Sequence, residues 1–357
     1  MLADPNAWER PRRILLTVTA ILGLIAFVLG VGNRFTGGPL FVYIPDVDLV
    51  PPLSKVAWQQ AFVIHQQSPL FALCGGYQVG GMESLTVYQV LYLWEWARAG
   101  SVTLLSLCVI LLVALTVRQA VRPRGHSDFV ALVAAALLFA AYAALRYFAD
   151  HAGLFATLNF GQHRHAVDVT FAATALALLL RVCLAPSQDR GAGLARTAWA
   201  IAIAIDIAFG ALFQATDAAA VWKTFPGYAD GILPATDRLF AFNPVWRNFT
   251  ENVYLIQTCH RVLSIALWIV ALGAWSRKRW RGLLARREAL LFALLTLEGA
   301  LGVATLMLDL PLVLSIAHQF CAIFVLAVAL WPPLPGRTTT DGPASSRGVP
   351  GLDLAAA

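Results

Sequence analysis

Eight mostly apolar runs dominate this 357-residue chain, near 13–32, 86–112, 128–147, 165–184, 196–215, 253–275, 288–307 and 311–331. A run of roughly 20 residues is what an α-helix needs to cross the hydrocarbon core of a bilayer. Inside that core every backbone N–H and C=O must be bonded within the segment, so each run takes the helical form. The expected class is an all-α membrane protein with eight transmembrane helices. Composition agrees, with 59% apolar and only 13% charged residues, about half the charged share of a soluble domain. Membrane lipid is therefore the principal partner. The net charge of +6 sits in short connections and not on one aromatic-studded face, which excludes a nucleic-acid reading.

Of the 26 Lys and Arg, Arg98 and Arg261 fall within runs, and the remainder alternate between connections, 17 in one set against 7 in the other. The densest group is Arg277, Lys278, Arg279, Arg281, Arg286 and Arg287. The positive-inside rule then puts both termini in the cytoplasm. The two long connections, 33–85 and 216–252, face outward. The N-terminal basic stretch leads into a full-length run with no small-residue cleavage site, so it reads as a span and not as a cleaved signal. Residues 336–357 are polar and poor in bulky apolar side chains, and disorder is expected there.

Two histidines stand inside these runs. His260 lies in VYLIQTCHRVLSIALWIVALGAW and His318 in PLVLSIAHQFCAIFVLAVALW. Each is about seven residues in, so at 1.5 Å per residue each imidazole lies roughly 10 Å below the same end of its helix. Two rings at one depth in adjacent helices can hold a heme iron from both faces. The plainer alternative is a pair of unrelated buried histidines. An unpartnered polar group in lipid costs several kcal/mol, which favours a shared ligand. The five cysteines form no CxxC or CxxCH, so covalent heme attachment and a zinc site are not expected.

Runs one to four and five to eight repeat one layout: span, long outer connection, span, short basic connection, span, short outer connection, span. This suggests two pseudo-symmetric four-helix bundles, over 1–190 and 191–335, followed by a tail over 336–357. With the halves aligned, His260 falls opposite Arg98, and His318 opposite the region of His163, His165 and Asp168.

Several segments resemble the heme A synthase family. TDAAAVWKTFPG at 216–227 is similar to its DAG…FP loop. NPVWRNFTENVYLIQTCHR at 243–261 resembles its P-W-R-N-F-x-E-N…HR segment, and LEGALGVATLMLDLPLVLSIAHQ at 297–319 its LQ-x-x-LG-x-x-T…PL…L-x-x-H-Q segment. The first half matches through NRFTGG at 33–38, MESLTVYQVLYLWEW at 82–96 and HRHAVDV at 163–169. The resemblance implies a bis-histidine heme b at His260 and His318. It also implies a first-half site that binds heme O and oxidises its methyl group, using a second histidine pair. Here that pair is replaced by Arg98 and Asp168, while Glu95 keeps the family's acidic residue.

Two readings of the first half follow. Arg98, Asp168 and Glu95 form a charge cluster where a heme once sat; arginine has no lone pair to give a metal. Alternatively His165, one turn before Asp168, supplies a single axial ligand to a substrate heme. Arg261 and Arg247 are candidates to meet heme propionates, against a plain role as interfacial arginines. Trp58, Trp222 and Trp246 read as interfacial anchors, and His65 as a solvated loop residue.

The resemblance implies conversion of heme O to heme A, with a heme O synthase and an electron donor as partners. The divergent first half points instead to a b-type cytochrome or heme-binding assembly protein. The largely uninterrupted spans argue against a transporter. The sequence leaves the oligomeric state open. In a cysteine-free background, Asp230→Cys should react with an impermeant thiol reagent added from outside, and Leu283→Cys should not. The reverse labelling overturns the topology.

Overall fold

The computed structural model describes residues 9–36, 47–67, 84–120, 126–151, 161–184, 193–228, 231–232, 234–281 and 286–331. The tail over 336–357 and Cys74 lie outside them. Nine helices of 12 or more residues organise the described residues: α1 (Glu9–Thr36), α2 (Lys55–Gln66), α3 (Leu85–Ala120), α4 (His126–His151), α5 (Gly161–Leu184), α6 (Leu194–Ala215), α7 (Val253–Trp280), α8 (Arg286–Met307) and α9 (Leu312–Ala329). All but α2 are long and apolar enough to cross a membrane, and they match the eight expected runs. No strand occurs among the described residues; Tyr228 and Gly231 form an isolated bridge.

The two sets of four spans close the same cycle. In the first, α1 meets α3, α3 meets α4, α4 meets α5, and α5 returns to α1. In the second, α6 meets α7, α7 meets α8, α8 meets α9, and α9 returns to α6. The sets join where α5 packs on α6 and α9, and α1 on α9. The most deeply buried side chains gather at that seam. They include Ala173, Leu176 and Ala177 of α5 and Ile323, Val325, Leu326 and Ala327 of α9. Between helices in lipid the attraction is close van der Waals packing, which small residues permit. The surface is correspondingly inverted: Ile14, Val18, Ile21 and Ile25 form an exposed apolar stripe along α1.

Polar groups at the basic-loop ends find partners. Arg181 of α5 donates to Asp128 of α4 at 2.8 Å, with both side chains buried. Arg287 at the start of α8 donates to the carbonyls of Val328 and Ala329, satisfying the open C-terminal end of α9. Lys278 reaches Glu288 at 2.6 Å across the α7–α8 connection.

The sequence analysis treated 33–85 as one loop, yet α2 lies within it. Ser54 caps α2 by accepting from the Ala57 amide at 3.1 Å. Trp58 and Phe62 then pack on Tyr88 and Tyr92 at the N-terminal end of α3. Twelve amphipathic residues cannot span a bilayer, so run length carried no sign of this helix. His65 is not simply solvated: its ring sits 5.1 Å from that of Tyr88, and burial pushes its pKa down.

Helix α1 approaches α5 at Gly23, where an added Cβ would stand 2.2 Å from Leu176 Cδ2. Leu176 is wholly buried and has nowhere to swing. Gly23→Ala should therefore lower the thermal unfolding midpoint in detergent, at a cost of about 1–3 kcal/mol. Gly100→Ala, whose Cβ meets nothing within 4 Å, should not lower it.

Candidate functional site

Two caps set the depth of the paired histidines. Asn252 opens α7, its side chain accepting from the Tyr254 amide at 3.0 Å and the Leu255 amide at 3.5 Å. Its Nδ2 donates to the Arg238 and Leu239 carbonyls and to Asn248, so the preceding loop is tied to the helix start. Pro311 precedes α9, and its fixed φ suits a helix entrance. His260 and His318 follow about two turns in. Their ring centroids are 6.4 Å apart, with an interplanar angle of 67°.

Each ring is held by its Nδ1. His260 Nδ1 lies 2.8 Å from Asp206 Oδ1 on α6, and Asp206 Oδ2 accepts from Ser264 Oγ at 2.8 Å. His318 Nδ1 lies 3.2 Å from both the backbone carbonyl and the Oε1 of Glu298 on α8. With Nδ1 donating, Nε2 of each ring keeps its lone pair. Glycines lie against both rings. A Cβ on Gly210 would come 3.2 Å from His260 Cε1, and one on Gly302 would come 2.9 Å from His318 Cε1.

This donor set suits a heme iron. Metal–nitrogen bonds of about 2 Å, plus about 1 Å from each nitrogen to its ring centre, place two imidazoles on one metal with centroids roughly 6 Å apart. Among the described residues, no group of three or more His, Cys, Asp or Glu converges as a metal cage. Two protein donors are enough to complete the coordination of a macrocycle-bound iron. Asp206, Ser264, Gly210 and Gly302 were missed by the sequence reading, and Glu298 was quoted only inside a motif. A signal was present: acid, three residues, glycine recurs at 206–210 and 298–302.

The family model for cytochrome oxidase assembly proteins, COX15-CtaA, matches residues 13–330. Heme A synthase of Methylobacterium sp. strain 4-46 is 31% identical over 92% of this chain and 93% of its own length. That of Azorhizobium caulinodans is 30% identical over 91% and 95%. That of Rhodopseudomonas palustris strain BisA53 is 29% identical over 92% and 94%. The chain belongs to the heme A synthase family. It is a multi-pass membrane protein with eight candidate spans.

Against the family pattern, the first half has a different local chemistry. Arg98 Nε donates to Glu95 Oε2 at 2.7 Å, and Arg98 Nη2 contacts Glu95 Oε1. Both side chains are buried on one face of α3, with Glu95 about one turn below Tyr92 and two below Tyr88. The Glu95 carboxylate is thus engaged by Arg98. Asp168 is half-buried on α5. His165 is buried and reaches across to α6, its Nε2 lying 3.4 Å from Gln214 Oε1. The same oxygen accepts from Gln319 Nε2 at 3.5 Å, next to His318.

Arg261 and Arg247 occupy different surroundings. Arg261 is buried; it donates to the carbonyls of Gly227 and Trp222 and lies 4.7 Å over the Tyr228 ring. Gln257 also bonds the Trp222 carbonyl, at 2.8 Å. These contacts pin the loop around Trp222 and Gly227 onto α7. Trp222 is correspondingly buried against Tyr228 and Tyr254, which corrects its reading as an interfacial anchor. A tryptophan beside a span looks alike in sequence whether it faces lipid or a folded loop. Trp246 is exposed, as an anchor would be. Arg247 grips Glu251 through Nε and Nη2, a pairing whose hydrogen bonds hold the carboxyl below its usual range.

Asn252→Ala should remove the α7 cap and both loop bonds, costing about 1–2 kcal/mol. Hydrogen exchange should rise first at the Tyr254 and Leu255 amides.

Proposed function

We propose that this protein serves heme A biosynthesis from a bacterial plasma membrane, binding a b-type heme between His260 and His318. The supporting observation is the facing imidazole pair, centroids 6.4 Å apart, with both Nδ1 atoms engaged and both Nε2 atoms left to donate. A bound heme supplies one-electron redox chemistry at its iron. The protein's part is to hold two imidazoles at one depth, fix their tautomers through Asp206 and Glu298, and clear space with Gly210 and Gly302. Arg261 stands one residue from a ligand, with its Nε buried and without a protein partner. That places a cation beside the ligand helix, where propionates need one. With both termini cytoplasmic, the heme lies toward the outer face.

In this reading the first half nominally receives heme O from a heme O synthase and oxidises its methyl group, with a separate electron donor as partner. A second reading is supported by one observation: Arg98, which the resemblance aligns with a family ligand, is bonded to Glu95. A carboxylate held that way is poorly placed to act as a base, and arginine cannot ligate iron. The protein is then a heme-binding assembly protein that has kept only its second-half site.

Purified full-length protein should show the sharp reduced α-band of a six-coordinate b-type heme. His318→Ala should abolish or shift it, and Gly302→Ala should lower heme content per protein. A full-length preparation free of heme overturns the binding proposal. Co-expression with a heme O source, followed by pigment extraction, separates the two readings. Abundant heme A supports oxidation in the first half, and its absence supports the assembly role.

A further inference from the structure

Helices α6 and α8 carry one short signature, Asp206-Ile-Ala-Phe-Gly210 and Glu298-Gly-Ala-Leu-Gly302. The i,i+4 spacing stacks acid and glycine on one helix face. In both copies that face meets an imidazole from a neighbouring helix, the acid at Nδ1 and the glycine against Cε1. Both acids are 7% exposed. A glycine merely makes room for a ring, and any polar neutral residue could orient an imidazole. The resemblance motif has a neutral glutamine where Glu298 stands. Two buried acids aimed at two facing histidines therefore do something that orientation alone does not require.

We propose that Asp206 and Glu298 are positioning residues that set the redox potential of the second-half heme, holding it low. This rests on the heme reading above. An imidazole whose Nδ1–H is donated to a carboxylate becomes a stronger electron donor to its metal. Negative charge in a low-dielectric interior also favours the more positive, oxidised iron. Both effects act in one direction, and both act at His260, where the Asp206 carboxylate bonds Nδ1 at 2.8 Å. At His318 the Nδ1 hydrogen bond goes to the Glu298 backbone carbonyl, and the Glu298 carboxylate, with Oε1 3.2 Å away, acts through its charge. Asp206 dominates the pair. Ser264 moderates it, because its hydroxyl donates to Asp206 Oδ2 and draws charge away from His260.

The test is an equilibrium redox titration of the purified full-length protein, reduced stepwise with dithionite and followed at the α-band. Asp206→Asn keeps an acceptor for Nδ1 and removes the charge. At a fixed ambient potential near the midpoint it should raise the ferrous-to-ferric ratio at least tenfold, equivalent to 59 mV for one electron. Glu298→Gln should move the ratio the same way and by less. Ser264→Ala leaves the Nδ1 bond intact and should lower the ratio. If Asp206→Asn fails to take up heme, Ser264→Ala decides: a lowered ratio supports the inference, and an unchanged or raised one overturns it. Variants that keep the wild-type spectrum and an unmoved midpoint overturn the inference while leaving the heme site standing. A wild-type protein without heme overturns the heme reading itself.

Discussion

A polar side chain surrounded by hydrocarbon must be answered by another, and this requirement organises the interior of the protein. Asp128 is answered by Arg181, Glu95 by Arg98, and Asp206 by His260 and Ser264. Each pair holds two groups that would each be costly alone in the membrane. The pairings also fix the helices that carry them. Asp128 and Arg181 join α4 to α5, and Asp206 joins α6 to α7. The site is therefore no insertion into an otherwise apolar bundle; its polar contacts are among those that set the bundle's register.

The halves have kept one cycle of helix contacts and diverged in what that cycle encloses. In the second, facing imidazoles are backed by acids and flanked by glycines. In the first, the equivalent helix presents Tyr88, Tyr92, Glu95 and Arg98 along one buried face, capped by the aromatic side of α2. One half is arranged to donate lone pairs inward, and the other spends its charges on itself.

Much of this was legible in the sequence. The eight spans follow from run length, since only a helix satisfies its own backbone in lipid. The meeting of His260 and His318 follows from their equal depth. What stayed hidden depends on neighbours. Asp206 looks like one stray acid in an apolar run until α7 brings His260 beside it. Trp222 gives no sign that it will be folded under a loop. The α2 helix is too short to register as a run, and its packing on Tyr88 joins residues thirty positions apart. Depth along a helix can be counted from a sequence; rotation about its axis cannot.

Gln214 touches both sides of the seam, facing His165 of α5 and Gln319 beside His318 with a single oxygen. Helix α5 is thereby committed to the second half as fully as to the first, in polar contacts as well as in the core around Leu176 and Ala177. A bundle assembled this way ties its halves together. Side chains of the first half can change one by one, yet helix α5 has to stay, because the second half leans on it. Persistence of α5 is thus no testimony to catalysis in the first half.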